Sequence, residues 1–387
     1  MTGDADAVII GAGPAGSAAA TLLATEGFRT VMLEAATLPR SKVCGAFLSA
    51  DASSVLRTLG VAEEVKRIGP ERISAGSLHL PSGFSVPFDL PAPGIGISRF
   101  ALDHLLAKRA ARAGAVVHFR ARVSRVERTR AGFRLRLASG ESLMARVAIG
   151  AWGRWNSLDR SLGRPFPGRR PRYLGWSGEY RGDGMRLKDS VRLYAFEGGY
   201  CGLSLVEGGR VNLAGVIAAD LQRRLGSGWE EVVAHARRSN LHLARHLDGL
   251  SPIGFQGTGP VFFTARRPTE NGILLVGDAA GVLDPFSGQG QAAALSSGVL
   301  AAGCAAAFLS SRLADEELLR RYAAAWRGLF SGRFAWSSAF RHFMLLPWLG
   351  EVAGRIAGSS ATRLAVRALA KPRSPSSSEA GQEAATL

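Results

Sequence analysis

Short apolar runs punctuate the chain at residues 7–11 ("AVIIG"), 30–35 ("TVMLEA") and 272–277 ("GILLVG"). Runs this short and this continuous suit strands buried on both faces, as in a parallel sheet. Between the first two, "GAGPAGSAAATLLATEG" keeps an Ala/Leu helical pattern to about Glu26. Residues 51–68 carry a second helical pattern and 98–114 a third, the latter with Ser98 as its N-cap and Gly114 as its stop. "AVVHFR" follows as a strand, and residues 121–128, 132–138 and 141–149 alternate as a three-stranded meander. Residues 73–90 alternate around Pro and Gly as a hairpin does.

The texture changes over residues 165–262, which mix Gly, Arg and aromatics. Strands are predicted near 173–180, 191–196, 201–206 and 210–216, and a helix near 228–246. After 281 the pattern is helical again, over 287–310, 314–330 and much of 333–369. The last segment, 372–387, has too few apolar side chains to bury and is expected to stay disordered. Strands alternating with helices, then a strand-rich insert, define an α/β chain with an inserted mixed sheet.

Composition changes this picture little. The 387 residues carry a formal net charge of +17, but only five of the 48 basic residues are lysines. No nucleic-acid-binding motif accompanies the charge, so an anionic lipid surface or an acidic carrier suits it better than nucleic acid, and a plain solvated basic surface is the favoured reading over both. The three cysteines, Cys44, Cys201 and Cys304, make neither a disulfide framework nor a metal spacing, which points to a reducing compartment. The start, "MTGDADAVIIGAG", has acids where a signal peptide needs bases, so a cytoplasmic protein is expected. The stretch 285–311 has no charged residue and could span a bilayer by length, but its Ser, Gly and Gln favour a buried helix packed through small residues.

Candidate chemistry sits at three places. Gly11, Gly13 and Gly16 form G-x-G-x-x-G between the first strand and its helix, with Ala15 inside the motif. Those glycines give a tight turn, room for a pyrophosphate and close helix–strand packing, and the helix N-terminus attracts phosphate. Glu34, followed by Ala35, ends the second strand, where a carboxylate can hold ribose hydroxyls. Asp278, after Gly277, closes the strand at 272–276, and Pro285, Gly288, Gln289 and Gly290 open the next helix. No HExxH or comparable metal cluster is present.

Together these motifs resemble FAD-dependent oxidoreductases with a Rossmann-like domain of the glutathione-reductase and aromatic-hydroxylase type. The resemblance implies that Gly11, Gly13, Ala15, Gly16, Glu34 and Ala35 hold the ADP half of FAD. It places Gly277 and Asp278 at the ribityl and pyrophosphate, and the Pro285–Gly290 loop beside the ring. Arg99 in "SRFALDHLL" matches an arginine that approaches the cofactor, and Val123 a backbone contact to adenine. "PRSKVCGAFLS" resembles the "P-R-x-K-x-C-G" segment of the geranylgeranyl reductase and FixC-like branch. That branch implies a hydrophobic prenyl, lipid or polyketide-like substrate, with hydride transfer at flavin N5. It puts Cys44 near the reaction centre and Lys42 and Gly45 in the cofactor site, with Arg40 and Lys42 beside the flavin or an anionic headgroup.

The implied division is an FAD domain over 1–72, 92–164 and 265–330, a substrate sheet domain over 73–91 and 165–264, and a helical region over 331–371. Phe84, Phe88, Tyr173, Trp176, Tyr194 and Phe196 are the aromatics expected either over the substrate or in the core, the commoner fate of such residues. One departure stands out in "AIGAWGRWNSLDR". Hydroxylases of this type carry an Asp-Gly pair after the meander, and here Trp152 precedes Gly153, with Trp155 expected to pack beneath the turn. That weakens the alternative, an FAD-dependent monooxygenase using NAD(P)H and O2 on an aromatic or polyketide ring. With no second G-x-G-x-x-G, NAD(P)H would act as a transient reductant. Halogenation and a purely electron-carrying role rank lower.

Overall fold

The computed structural model describes residues 4–345 except 155, 167–169, 171, 227, 264–265 and 311–312, and excludes the side chains of 286 and 335–345. Trp155, the chain beyond 345 and the expected tail at 372–387 therefore lie outside the described residues.

Among the described residues, two eight-stranded sheets organise the fold. The first places its strands in the order Thr269–Glu270, Ile273–Leu275, Ser142–Gly150, Ala5–Ile10, Thr30–Leu33, Val116–His118. Its centre is parallel, with Val8 level with both Val31 and Ala148. The strands Val123–Thr129 and Gly132–Leu137 join it antiparallel through Ser142–Gly150. The central strands are buried on both faces, which is why they read as unbroken apolar runs.

Helices Pro14–Thr25 and Gly290–Leu309 pack on this sheet almost backbone to backbone. A Cβ added at Gly298 would stand 2.2 Å from the Ala15 carbonyl oxygen, so only hydrogen fits there. Gly290–Leu309 is long and apolar enough to cross a membrane, yet 61% of its apolar window is buried inside the protein. Its small residues serve close packing, as the absence of charge from 285 to 311 suggests.

The second sheet runs Ser251–Val261, Tyr173–Arg181, Arg210–Ala218, Gly199–Val206, Asp189–Phe196, Glu71–His79, Ser85–Gly96, Phe47–Leu48. Helices Trp229–Ser239 and Leu241–Leu247 cover one of its faces. Alternate residues on its strands form a second apolar cluster, of Leu78, Val86, Ala195, Tyr200 and Val216. Asn212 and Tyr200 on that other face reach the first sheet's loops, at Cys44 and Asp284.

Several elements differ from the sequence reading. Residues 51–68 make two helices, Ala52–Thr58 and Ala62–Arg67, because Gly60 takes a left-handed φ of 69° between them. The helix expected over 228–246 breaks at Asn240, whose side-chain oxygen accepts from the N–H groups of His242 and Leu243. Helices expected at 314–330 and after 333 are one continuous helix, Asp315–Leu345. The strand Ser251–Val261 was not foreseen, since "SPIGFQGTGPV" reads as turns; as an edge strand it tolerates its prolines.

Candidate active site

The turn after the first strand is closed by backbone. A Cβ at Gly11 would lie 2.4 Å from the Ala151 oxygen, and one at Gly16 would lie 1.9 Å from the Gly11 oxygen. Gly13 caps the helix with no side chain, and no acid occupies the first turn, so the positive helix end is left for an anion. Glu34 is buried and accepts from Ala12 N at 2.9 Å and Ala36 N at 3.0 Å. A carboxylate has about four acceptor positions, so capacity remains for ribose hydroxyls. Exposed Ala35 adjoins it, and Ala121 N donates to the Glu34 carbonyl, which brings the buried Val123 strand start alongside.

Arg99 and Lys42 meet on one carboxylate that the sequence reading passed over. Asp103 is fully buried and accepts from Arg99 Nε at 2.6 Å, Arg99 Nη2 at 2.8 Å and Lys42 Nζ at 2.7 Å. Burial would raise the Asp103 carboxyl, but the two cations outweigh it and hold it below its ordinary value. Burial pushes the Lys42 ammonium down, helped by the Arg99 cation, against the pull of Asp103. For Arg99, Asp103 overcomes the burial effect and the guanidinium is held more firmly protonated. The Arg99 guanidinium also lies beside the Gly13 turn, 3.6 Å from where a Cβ would sit. Lys42 is thus a tether for its loop as well as a charge at the site.

Cys44 sits where the two sheets meet. Its half-buried thiol accepts from Gln291 Nε2 at 3.5 Å, and its carbonyl accepts from Asn212 Nδ2 at 3.2 Å. Gln291 also donates to the Phe47 carbonyl at 3.2 Å. Asn212 and Gln291 were missed; their signal was a lone Asn in the apolar "VNLAGVIA" and a second Gln in "GQGQ". Gly45 is exposed with open space around it, and Arg40 comes no closer than 3.9 Å to Glu34. Gly288 takes a φ of 64° and its Cβ would strike the Phe47 ring at 2.6 Å, so the loop from Pro285 packs on the Cys44 segment. Gln289 caps Gly290–Leu309, and Gly290 faces open space.

Gly277 takes a φ of 57° and donates its N–H to Ser297 Oγ at 2.8 Å, which fixes the turn bearing Asp278. Arg154 Nε stands 3.7 Å from the half-exposed Asp278 carboxylate, just past open Gly153. Trp152 points elsewhere. A Cβ at Gly150 would meet its ring at 2.3 Å, and its indole N–H donates to Asp159 Oδ1 at 3.1 Å. Asp159 is fully buried and also accepts from Arg164, whose guanidinium donates to the Ala279 carbonyl at 2.9 Å. Trp152 is thereby tied, through Asp159 and Arg164, to the backbone of the turn beside Asp278. Arg266 stacks 3.7 Å over Phe166 and donates to the Asp278 carbonyl at 3.3 Å. Burial and the Arg164 cation push its guanidinium down to about 10.

The six aromatics divide. Trp176, Tyr194 and Phe196 lie under the covering helices, on the face away from Cys44, and are core. Of the two places open to them, core and substrate wall, these three take the core, because strand alternation sends them to the face under the helices. Phe84 packs on the opposite cluster, Phe88 lies over Gly76, and Tyr173 tilts against Phe263 at 5.8 Å. Among the described residues no group of His, Cys, Asp and Glu could hold a metal.

A glycine turn, a buried ribose-side carboxylate, a strand-end Asp and a second sheet closing over them define a dinucleotide-binding flavoprotein, and these residues fit FAD. A sequence model described as "FAD binding domain" matches residues 4–329, and the chain belongs to that family. It is an FAD-dependent oxidoreductase. Digeranylgeranylglycerophospholipid reductase 1 of Methanococcoides burtonii is 26% identical over 85% of this chain and 81% of its own. The menaquinone reductase of Mycobacterium tuberculosis is 30% identical over 77% of this chain and 76% of its own. In fold, the chain is similar to the myxobacterial chondrochloren halogenase CndH, with a TM-score of 0.77 at 20% identity, over 88% of this chain and 83% of that one. It is also similar to PqsL of P. aeruginosa, solved with 2-aminobenzoylacetate, with a TM-score of 0.74 at 21% identity, over 90% and 98% of the two chains.

Proposed function

We propose that this enzyme saturates isolated carbon–carbon double bonds in the prenyl chain of a lipid or quinone. The observation that carries the reading is the apolar face of the second sheet, Leu78, Val86, Ala195, Val216 and Phe263, on the side that meets the Cys44 loop. A wall built mainly of aliphatic and aromatic side chains suits an isoprenoid better than a polar ring. The names of the archaeal and mycobacterial relatives support the same substrate class.

Bound FAD supplies a ring that accepts and releases hydride. Gly11, Gly13, Ala15, Gly16, Glu34 and Ala35 would hold its ADP half, with Val123 at the adenine. Gly153, Gly277 and Asp278 would hold the middle, and Pro285, Gly288, Gln289 and Gly290 the ring edge. Arg99 and Lys42, fixed by Asp103, would offer positive charge to the phosphates. Cys44, held by Gln291, and Gly45 would stand at the substrate end of that site. NAD(P)H serves as a transient reductant. The +17 charge suits a cytoplasmic protein that touches an anionic membrane, or an acidic carrier, to collect its substrate.

The test is anaerobic reduction with NADH or NADPH, then addition of menaquinone or an unsaturated archaeal-type lipid. Reoxidation of the flavin with two hydrogens gained by the prenyl chain is expected. Reoxidation only by O2, with oxygen added to an aromatic ring, would replace the reading with a monooxygenase.

A further inference from the structure

One buried pair on the substrate side has no role in holding the cofactor. Tyr200 and Asp284 are 3% and 1% exposed, and the Tyr200 hydroxyl donates to Asp284 Oδ1. Tyr200 belongs to the apolar cluster with Leu78, Val86, Ala195 and Val216. It shares a strand face with Gly202 and Ser204, and Ser204 is level with Asn212, which holds Cys44. Asp284 immediately precedes the Pro285 turn, and its carbonyl accepts from both Ser287 N and Ser287 Oγ. A phenol therefore stands in the apolar wall, and a carboxylate in the cofactor loop fixes where its oxygen lies.

Core packing alone does not explain this arrangement. A carboxylate taken almost wholly out of water is costly unless it is partnered, and a Phe–Leu pair of similar volume would avoid that cost. The chemistry proposed above needs a proton as well as a hydride, and an apolar wall excludes bulk water as its source. We propose that Tyr200 is the proton donor of the reduction and Asp284 its positioning residue. This rests on the double-bond reading of the function. With FAD bound, its reduced ring would supply the hydride that forms a C–H bond at one alkene carbon. The Tyr200 O–H bond breaks as its proton forms the C–H bond at the other. The phenolate left behind regains a proton from solvent when the product leaves.

The test uses the full-length flavoprotein with tyrosine labelled at Cζ with carbon-13. There are 5 tyrosines, so the signal lost in Tyr200→Phe identifies Tyr200. That signal should shift in Asp284→Asn and again when a menaquinone with a saturated side chain binds. In Tyr200→Phe, reoxidation by menaquinone should slow roughly a hundredfold to ten-thousandfold. The solvent deuterium isotope effect seen with the native chain should vanish. Flavin content, and complete reduction by dithionite, report an intact fold. A native rate and an unchanged isotope effect in Tyr200→Phe would overturn the assignment, as would a Tyr200 signal indifferent to both perturbations. If the native chain itself fails to saturate menaquinone, the function reading falls and the proton role falls with it. A Tyr200 signal coupled to Asp284 would in that case survive only as packing.

Discussion

At the scale of single residues, Asp103 decides more than its motif suggests. Removing its charge in Asp103→Ala leaves Arg99 and Lys42 unpaired, and breaking such buried pairs costs about 3–5 kcal/mol. Urea unfolding of the variant should show that loss; Arg99→Ala, which leaves buried Asp103 with Lys42, should lower both stability and FAD content. Because the folded carboxyl is held below its ordinary value, its contribution is complete at neutral pH. It disappears as pH falls through the ordinary value of 3.8 toward the depressed one. Glu34→Ala should yield protein with greatly reduced flavin at equal fold, read from the ratio of visible to ultraviolet absorbance. The sequence made Glu34 and Arg99 legible because each sits at a fixed offset from a strand or helix start. Asp103 was not, since its second partner Lys42 is 61 residues away and no local spacing relates them. The same limit hid Gln291, 247 residues from Cys44.

At the scale of elements, glycine and asparagine do the joining. Gly298→Leu would drive a side chain into the Ala15 backbone and force the two packed helices apart, at a cost of about 3 kcal/mol or more. The expected result is a lowered Tm together with lost flavin, because Ala15 lies in the cofactor turn. Asn240 ends one helix, starts the next and donates to the His79 and Ala195 carbonyls at 3.0 and 2.9 Å. Asn240→Ala should destabilise by about 2–3 kcal/mol through an uncapped helix and two orphaned carbonyls. Equilibrium denaturation reads it directly. Strands with unbroken apolar runs and helices with clear caps, such as that opened by Ser98, were legible. Ser251–Val261 was not, because its strand conformation comes from pairing with Tyr173–Arg181 and not from its own residues. Trp176, Tyr194 and Phe196 were legible as strand residues but not as to face, which a one-residue register choice reverses.

At the scale of the molecule, a histidine cluster under the second sheet ties stability to pH. His79, stacked on Tyr194 at 5.1 Å, is pushed down to about 3 by burial and then by His242. His246, pushed down to about 4, adds a smaller, solvent-screened share. Above pH 6.5 neither state binds these protons. Below it the unfolded chain does and the folded chain does not, so stability should fall by up to about 1.4 kcal/mol per pH unit for His79 as pH drops toward 4. Urea midpoints at several pH values should show that slope, and His79→Gln should flatten it.

The path of the chain has its own consequence. It leaves the first sheet to lay Phe47–Leu48 and then Glu71–His79 and Ser85–Gly96 into the second, returns for Val116–Gly150, and departs again for Tyr173–Val261. No single cut separates the two sheets, and no contiguous fragment carries the whole of one without strands of the other. Lineages of such a chain can vary the loops and the apolar wall, but they cannot trade one sheet for another as a cassette. New substrates must be reached by repainting a surface that the cofactor half has already committed to, strand by strand.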